Sequence, residues 1–313
     1  MSILARPVMA AFAARTLQRV AGLAARSGKI GTSPYERLTE FPGNSHEITI
    51  PTSIAPARAV VYLPDTDGPA PAVHVNFHGG GYVIPLIDLD DPLCRFLAAE
   101  ANVVVINVDY VVAPQHPFPA PTRQAYEVVE WVAANGAAHG WDGSRVTVGG
   151  QSAGGGLAAA VARQALEQDG PAIALQVLHY PPLDLATSAK DKRAAIPKPK
   201  LRPWMAEVFD GSYVPDPQDR LDPLVSPANL TDTADLHGIA PAVVITAALD
   251  LLRAEGVQYA ERLRAAGALV EHHDVADADH GYDAEDDDKA REVYALIARH
   301  VQQATTLTAP GTT

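Results

Sequence analysis

From about residue 45 the chain alternates short runs rich in β-branched residues with helix-length segments, and this rhythm constrains the fold more than any other feature. The runs are Ala59–Leu63, Ala72–Phe77, Val103–Val108, Arg145–Val148, Leu175–His179, Ala242–Ala247 and Ala268–Val275. Helix-length stretches include Thr122–Asn135, Ala153–Gln168, Arg253–Ala266 and Asp286–Ala304. Strands that alternate with helices are joined by crossovers, which lay them parallel and cover both faces of the sheet. The run Val103-Val104-Val105-Ile106-Asn107-Val108 is almost continuously apolar, as a strand buried on both sides must be. The first two runs have no helix between them and are expected to open the sheet as an antiparallel pair. The expected fold is α/β, with a mostly parallel sheet between two helical layers.

Two segments depart from the rhythm. Between Pro181 and Pro223 the chain carries eight prolines and a basic cluster from Lys190 to Arg202. Proline at that density cannot continue a sheet and breaks helices into short pieces. The segment reads as an insertion over the C-terminal edge of the sheet, with Trp204, Met205, Phe209 and Tyr213 as its apolar material. Near the N-terminus, Met9, Phe12, Ala13, Leu17, Val20 and Leu23 recur at helical spacing. They predict an amphipathic helix laid on the protein. Arg15, Arg19 and Arg26 interrupt any secretory or membrane-spanning run, so stable membrane insertion is not expected.

Charge and cysteine content narrow the partners. A formal net charge of -13 disfavours nucleic acid and anionic lipid. The single cysteine, Cys94, cannot form an intrachain disulfide, which fits a reducing, cytoplasmic setting. The expected partner is a small-molecule ester, and assembly into a homodimer is left open.

Gly150-Gln151-Ser152-Ala153-Gly154 lies between the run ending at Val148 and the helix-length segment from Ala153. A G-x-S-x-G sequence on a strand-to-helix turn exposes its serine hydroxyl over the sheet edge. A phosphate-binding loop would need a lysine that is missing here. His78-Gly79-Gly80-Gly81-Tyr82 follows directly from an earlier strand. Successive glycines let backbone N–H groups converge on one point, and each such donor to a developing oxyanion is worth roughly 3 kcal/mol. The N–H of Ala153 is expected to supply a further donor. His78 reads as a residue that orients this loop.

With these two motifs the chain resembles the hormone-sensitive-lipase-like family of α/β-hydrolases. The resemblance continues through Asp109-Tyr110-Val111-Val112-Ala113-Pro114-Gln115-His116-Pro117-Phe118-Pro119-Ala120 and reaches His280-Gly281, so it covers roughly residues 45 to 300. It implies an eight-stranded α/β-hydrolase core in residues 46–183 and 224–305. It also implies a helical cap from residues 1–45 and 184–223, and leaves a tail in 306–313. The activity implied is hydrolysis of short- to medium-chain carboxylic esters through an acyl-enzyme intermediate, with no cofactor or metal. Oxyanion donors carried over by motif position are Gly80, Gly81 and Ala153. Tyr82, Trp204, Met205 and Phe209 are expected to line the substrate pocket. The chain departs from the family at Gln151, commonly acidic, at Val111, Val112 and Gln115, commonly Arg, Leu and Glu, and at Leu251, commonly proline.

In such folds the acid and the histidine follow the serine in that order. Asp250 stands just past the run Ala242–Ala247, and His280 lies in a loop before the last helical segment. The expected catalytic set is Ser152, Asp250 and His280. Asp277 and Asp279 are too close in sequence to orient His280 easily, while Glu255 is placed as a secondary partner. His272 and His273 alternate across a strand and so point to opposite faces, which argues against a metal site with Asp274 and His280. Alternatives on the same apparatus are an amidase, a lactonase or a thioesterase that docks an acyl carrier on the basic cluster. A non-catalytic small-molecule receptor is the alternative of another class. Replacing Asp250 by Asn should lower kcat by roughly 10⁴, and Asp279→Asn should be mild. Steady-state kinetics of both variants checks the choice, and the reverse order of effects would overturn it.

Overall fold

The computed structural model describes residues 6–27, 33–41, 43–65 and 68–306. Residues 1–5, 28–32 and 42 of the expected N-terminal cap region, and 307–313 of the expected tail, lie outside the described residues. The strands are β1 (Asn44–Ile50), β2 (Ala57–Leu63), β3 (Val73–Phe77), β4 (Val104–Asp109), β5 (Val146–Gln151), β6 (Ile173–His179), β7 (Ala242–Ala247) and β8 (Leu269–Val275). The helices are α1 (Pro7–Ser27), α2 (Asp91–Glu100), α3 (Ala120–His139), α4 (Ala153–Glu167), α5 (Pro203–Tyr213), α6 (Arg253–Ala265) and α7 (Asp287–Thr305). Among the described residues, no helix is long and apolar enough to cross a membrane.

All eight strands join one sheet in the order β1-β2-β4-β3-β5-β6-β7-β8. From β4 to β8 every pairing is parallel. The antiparallel start differs from the expectation. β2 pairs with β1 on one side and β4 on the other, not with β3. β1 carries no apolar alternation because it is an edge strand in which only Ile50 is buried. α2 differs from a surface helix in that Asp91 to Ala98 are all buried, and its polar Asp91 and Arg95 pair with each other at 2.7 Å instead of facing solvent.

The helices bury the sheet from both sides. Leu93 and Leu97 of α2 share one core cluster with Val293, Ile297 and Val301 of α7. Val128, Val129 and Val132 of α3, Leu157 and Val161 of α4, and Tyr259 and Leu263 of α6 join the larger cluster opposite. α7 starts where the acidic run 285–288 predicts a solvated helix terminus: Asp286 caps it by accepting the N–H groups of Asp288 and Lys289, each at 3.1 Å.

The proline-rich segment is ordered around α5 instead of being broken throughout. α1 packs against α5, on a face that keeps Ala13 and Leu17 of the expected stripe against the core but is rotated from the rest of it. Ala10 and Ala14 are fully buried, whereas Phe12, Val20 and Leu23 are 67%, 58% and 66% exposed. Small alanines let the two helices approach closely, which the larger apolar residues would prevent. Gln18 fixes the docking: its amide donates to the carbonyl oxygens of Val83 at 2.8 Å and Ala113 at 3.0 Å.

β3 and β5 are neighbours, with Phe77 opposite Gly150. The turn that follows β5 therefore presses on the backbone that leaves β3. A Cβ at Gly154 would stand 1.7 Å from the Phe77 oxygen, and one at Gly150 would stand 2.3 Å from it. At Gly22, in α1, nothing lies within 4 Å. Gly154→Ala should therefore destabilise the protein by roughly 3 kcal/mol or more, and Gly22→Ala should stabilise it by up to about 1 kcal/mol. Denaturant unfolding of both variants checks this; an equal effect would contradict the close approach.

Candidate active site

The strand-to-helix turn holds Ser152 at φ 51° and ψ -121°, a backbone position that projects the side chain away from the sheet. Asp250 follows β7, and His280 follows β8 in the loop before α7. Since β5, β6, β7 and β8 run parallel as successive neighbours, these three turns open on the same sheet edge. Ser152 Oγ lies 2.9 Å from His280 Nε2, and His280 Nδ1 lies 2.8 Å from Asp250 Oδ2. The carboxylate fixes the tautomer: Nδ1–H donates to Asp250, which leaves the Nε2 lone pair for the serine hydroxyl. Asp250 is 1% exposed, and its other oxygen accepts the Leu252 N–H at 3.2 Å.

Burial disfavours the charged imidazole, but the charge and hydrogen bond of Asp250 outweigh it. With smaller help from Asp279 and Asp283, they raise the His280 pKa above its ordinary value. The rival carboxyls are engaged elsewhere. Asp279 accepts the backbone N–H of His280 and of Lys200, each at 2.7 Å. Glu255 is not a partner of His280. It accepts the Leu183 N–H at 2.8 Å and pairs with Lys192 at 2.6 Å, because α6 carries it under the loop that follows β6.

The loop after β3 faces the serine. Gly80 and Gly81 have φ of +117° and +63°, and a Cβ on Gly80 would meet the Ile84 oxygen at 2.1 Å. Among the described residues, no protein acceptor takes the N–H of Gly80, Gly81 or Ala153. The loop is braced from behind. The buried His78 ring stacks on Tyr110 at 4.3 Å and bonds its own loop at the Gly79 oxygen, 2.5 Å away. The Tyr110 hydroxyl donates to the His78 oxygen at 2.9 Å.

A cavity of about 290 Å³ opens above Ser152 and His280. Tyr82, Met205 and Phe209 line it, but Trp204 does not. Along α5 the inward positions are Met205, Ala206, Phe209 and Asp210, spaced as one helical face. Trp204 falls on the outer face and is 47% exposed. Tyr82 is held by a parallel stack on Tyr213 at 3.9 Å, and Gly81 fits beneath the Phe209 ring. Leu251 and Leu252, directly after Asp250, join Ala189, Leu201 and Ala206 in a small core of their own. The leucine at 251 lies in the turn after Asp250 and anchors the proline-rich segment there.

Asp283, two residues past Gly281, was not singled out by its sequence context. Its carboxylate accepts Gln151 at 2.5 Å, Tyr180 at 2.6 Å and Tyr294 at 2.9 Å. Gln151 is the residue that follows this arrangement, because an acidic side chain there would set a second carboxyl against Asp283. Tyr180 also packs its ring 4.9 Å from His280. Two buried strand histidines are bonded within the fold: His74 bonds Thr147 and His179 bonds Tyr282. His272 bonds Thr246, while Asp274 pairs with Arg253.

The sheet order, the serine turn and the histidine loop define an α/β-hydrolase. The sequence profile of the alpha/beta hydrolase fold matches residues 74–284. The chain belongs to that family and, within it, to the hormone-sensitive-lipase-like branch. It is 36% identical to the esterase LipI of Mycobacterium tuberculosis over 247 residues, which span 75% of this chain and 74% of LipI. It is 38% identical to an ethyl acetate hydrolase of Pseudomonas putida over 218 residues, 67% of this chain and 66% of that one. Among solved structures, a hyperthermophilic esterase from the archaeon Pyrobaculum calidifontis superposes with a TM-score of 0.78 at 34% identity, covering 85% of this chain and 86% of its own. The carboxylesterase EstE1, cloned from a metagenomic library, gives 0.78 at 29% identity over 98% and 100% of the two chains.

If His280 serves as the general base, it must be neutral to accept a proton, and activity should be lost as pH falls through its pKa. The lower midpoint of kcat/KM should lie above 6.5, because Asp250 raises that pKa. In Asp250→Asn the midpoint of the residual activity should move down. A pH–rate profile of the two proteins checks both signs.

Proposed function

We propose that the chain hydrolyses small carboxylic esters by acyl transfer to Ser152. The reading rests on one observation, the unbroken hydrogen-bond chain from Ser152 through His280 to Asp250 at the floor of a mainly apolar cavity. In the first half-reaction, Ser152 Oγ attacks the ester carbonyl carbon while His280 Nε2 takes the hydroxyl proton. The carbonyl oxygen becomes an anion and accepts the N–H groups of Gly80, Gly81 and Ala153. As the carbon–alkoxy bond breaks, His280 returns its proton to the leaving oxygen, and the alcohol departs from an acyl-Ser152 ester. A water then gives a proton to His280 and attacks the acyl carbon. Collapse of that second intermediate releases the carboxylic acid and restores the serine hydroxyl. Asp250 stays ionised and holds the imidazolium formed in each half.

In this proposal residues 46–183 and 224–305 form the catalytic core, while 1–45 and 184–223 form its cover. A cover of low polarity strengthens every hydrogen bond aimed at the oxyanion. Docking an acyl carrier on the basic cluster gains little support, since its charges are partly taken. Lys190 pairs with Glu207 at 3.4 Å, Lys192 with Glu255 and Lys200 with Glu285, the last two at 2.6 Å. A receptor without catalysis would be expected to lack a member of the hydrogen-bonded set, and here all three are in contact.

The cavity of about 290 Å³ lies at the small end of ligand pockets, which run from roughly 300 to 1,000 Å³. Burial of each methylene contributes up to about 0.8 kcal/mol until such a space is full. Peak kcat/KM is expected for simple acyl chains of roughly four to eight carbons. Ser152→Ala should abolish hydrolysis in a folded protein, and an organophosphorus reagent should add its mass at Ser152. A screen of esters, amides and thioesters of graded acyl length, with mass mapping, tests the proposal. Full activity in the alanine variant would overturn it, and a rate still climbing at palmitoyl esters would overturn the bounded cavity.

A further inference from the structure

The cavity wall is apolar along most of α5 but carries one buried acid, Asp210, directly after Phe209. Asp210 is 9% exposed, and among the described residues no N–H or O–H donates to its carboxyl. The neighbouring acids differ in this respect. Glu255 has the Leu183 N–H and Lys192. Glu207 has Lys190, and Asp184 accepts the side chains of Thr187 and Asn229 at 2.6 and 3.0 Å. The charges that face Asp210 are Lys192 and Arg220 of one sign, and Glu207 and Asp184 of the other.

A buried carboxyl without a donor is costly, because burial removes water that would otherwise bond it. The cost shows in its acidity: burial raises the Asp210 pKa to about 6, against the pull of Lys192 and Arg220. At neutral pH the group is therefore mainly an anion beside the space the substrate enters. Leucine, methionine and phenylalanine suffice to line an acyl pocket, so a carboxyl at this place serves a different contact. A site that presents a buried acceptor selects a ligand that donates to it, since an isostere without the donor leaves the acceptor unpaired.

We propose that Asp210 is a specificity-determining residue that accepts a hydrogen bond from a hydroxyl or ammonium group carried by the ester substrate. This rests on the ester-hydrolase reading and narrows it to esters bearing a donor away from the scissile carbonyl. Lys192 pairs with Glu255 at 2.6 Å and acts on Asp210 through its charge alone, so the hydrogen-bond donor to the Asp210 carboxyl is left to the substrate.

The test compares heptanoyl, ω-hydroxyhexanoyl and ω-aminohexanoyl esters of one alcohol, which match in chain length and differ in the terminal group. A second series carries the same three end groups on the alcohol side of an acetate. Wild type should favour at least one donor ester over its methyl-ended match by roughly tenfold or more in kcat/KM, the discrimination expected for a hydrogen bond to a charged group. Asp210→Leu should bring that ratio to unity or below. Asp210→Asn, which still accepts through its amide oxygen but has no charge, separates the two donors. It should retain a hydroxyl preference and lose an ammonium one. Because each ratio is taken within one protein, a partly destabilised variant still reports. Equal or faster hydrolysis of the methyl-ended esters by wild type in both series would overturn the role of Asp210 and leave the esterase reading intact. So would an unchanged preference in Asp210→Leu. Failure of wild type to hydrolyse any of the esters would instead overturn the esterase reading.

Discussion

The structure depends on one close approach of main chains, where the turn from β5 into α4 presses against the end of β3. Gly150 and Gly154 stand where any Cβ would enter the Phe77 carbonyl. That contact sets the serine turn beside the loop that leaves β3, because both strands end at the same level in the parallel register. Gly80 and Gly81, two of the proposed oxyanion donors, lie 72 and 71 residues before the proposed nucleophile Ser152 yet are held beside it by a contact with no freedom to slide. Backbone packed to backbone does not adjust by rotamer changes, which suits a site whose geometry must be ready before substrate arrives.

The histidine loop is held by charge instead of packing. His280 meets Asp250 through its ring and Asp279 through its own N–H. Asp283 then ties the following turn to Gln151, Tyr180 and Tyr294. Each of these carboxylates is satisfied by donors from a different element, so the loop is bound to β5, to the turn after β6 and to α7 together. A network of this kind orients His280, the proposed base, and also explains why an amide suits position 151. Its polar partner lies within hydrogen-bond reach and is itself an acid.

The cover has a simpler logic. α1 packs on α5 with Ala10 and Ala14 buried, and Gln18 pins α1 to the carbonyl oxygens of Val83 and Ala113. The small core around Leu201, Ala206, Leu251 and Leu252 fastens the proline-rich segment directly behind Asp250. The cavity walls are therefore attached to the loops of Asp250 and His280, so in the proposed reaction substrate shape is read by elements that share neighbours with the chemistry. The large apolar residues on the outer face of α1 contribute nothing to that wall.

Much of this was legible before folding is considered. Period-2 and helical patterns mark seven of the eight strands and the larger helices, because one-sided or fully apolar burial leaves a local trace. Glycines around Ser152 and after His78 announce turns that only glycine fits, and chain order points to Asp250 and His280. What left no trace was decided by partners distant in sequence. β1 has a single buried residue, α2 buries even its polar Asp91 and Arg95, and the partner of β2 is set by the crossover of β4. Trp204 and Met205 are adjacent and similarly apolar, and only the rotation of α5 over the cavity sends one outward and the other inward. The same rotation brings Asp210 inward. Local sequence determined which segments turn, extend or coil and which residue types can do acyl transfer. The tertiary structure decided which acid is free to hold His280 and which faces line the pocket, because those depend on neighbours the chain meets only when folded.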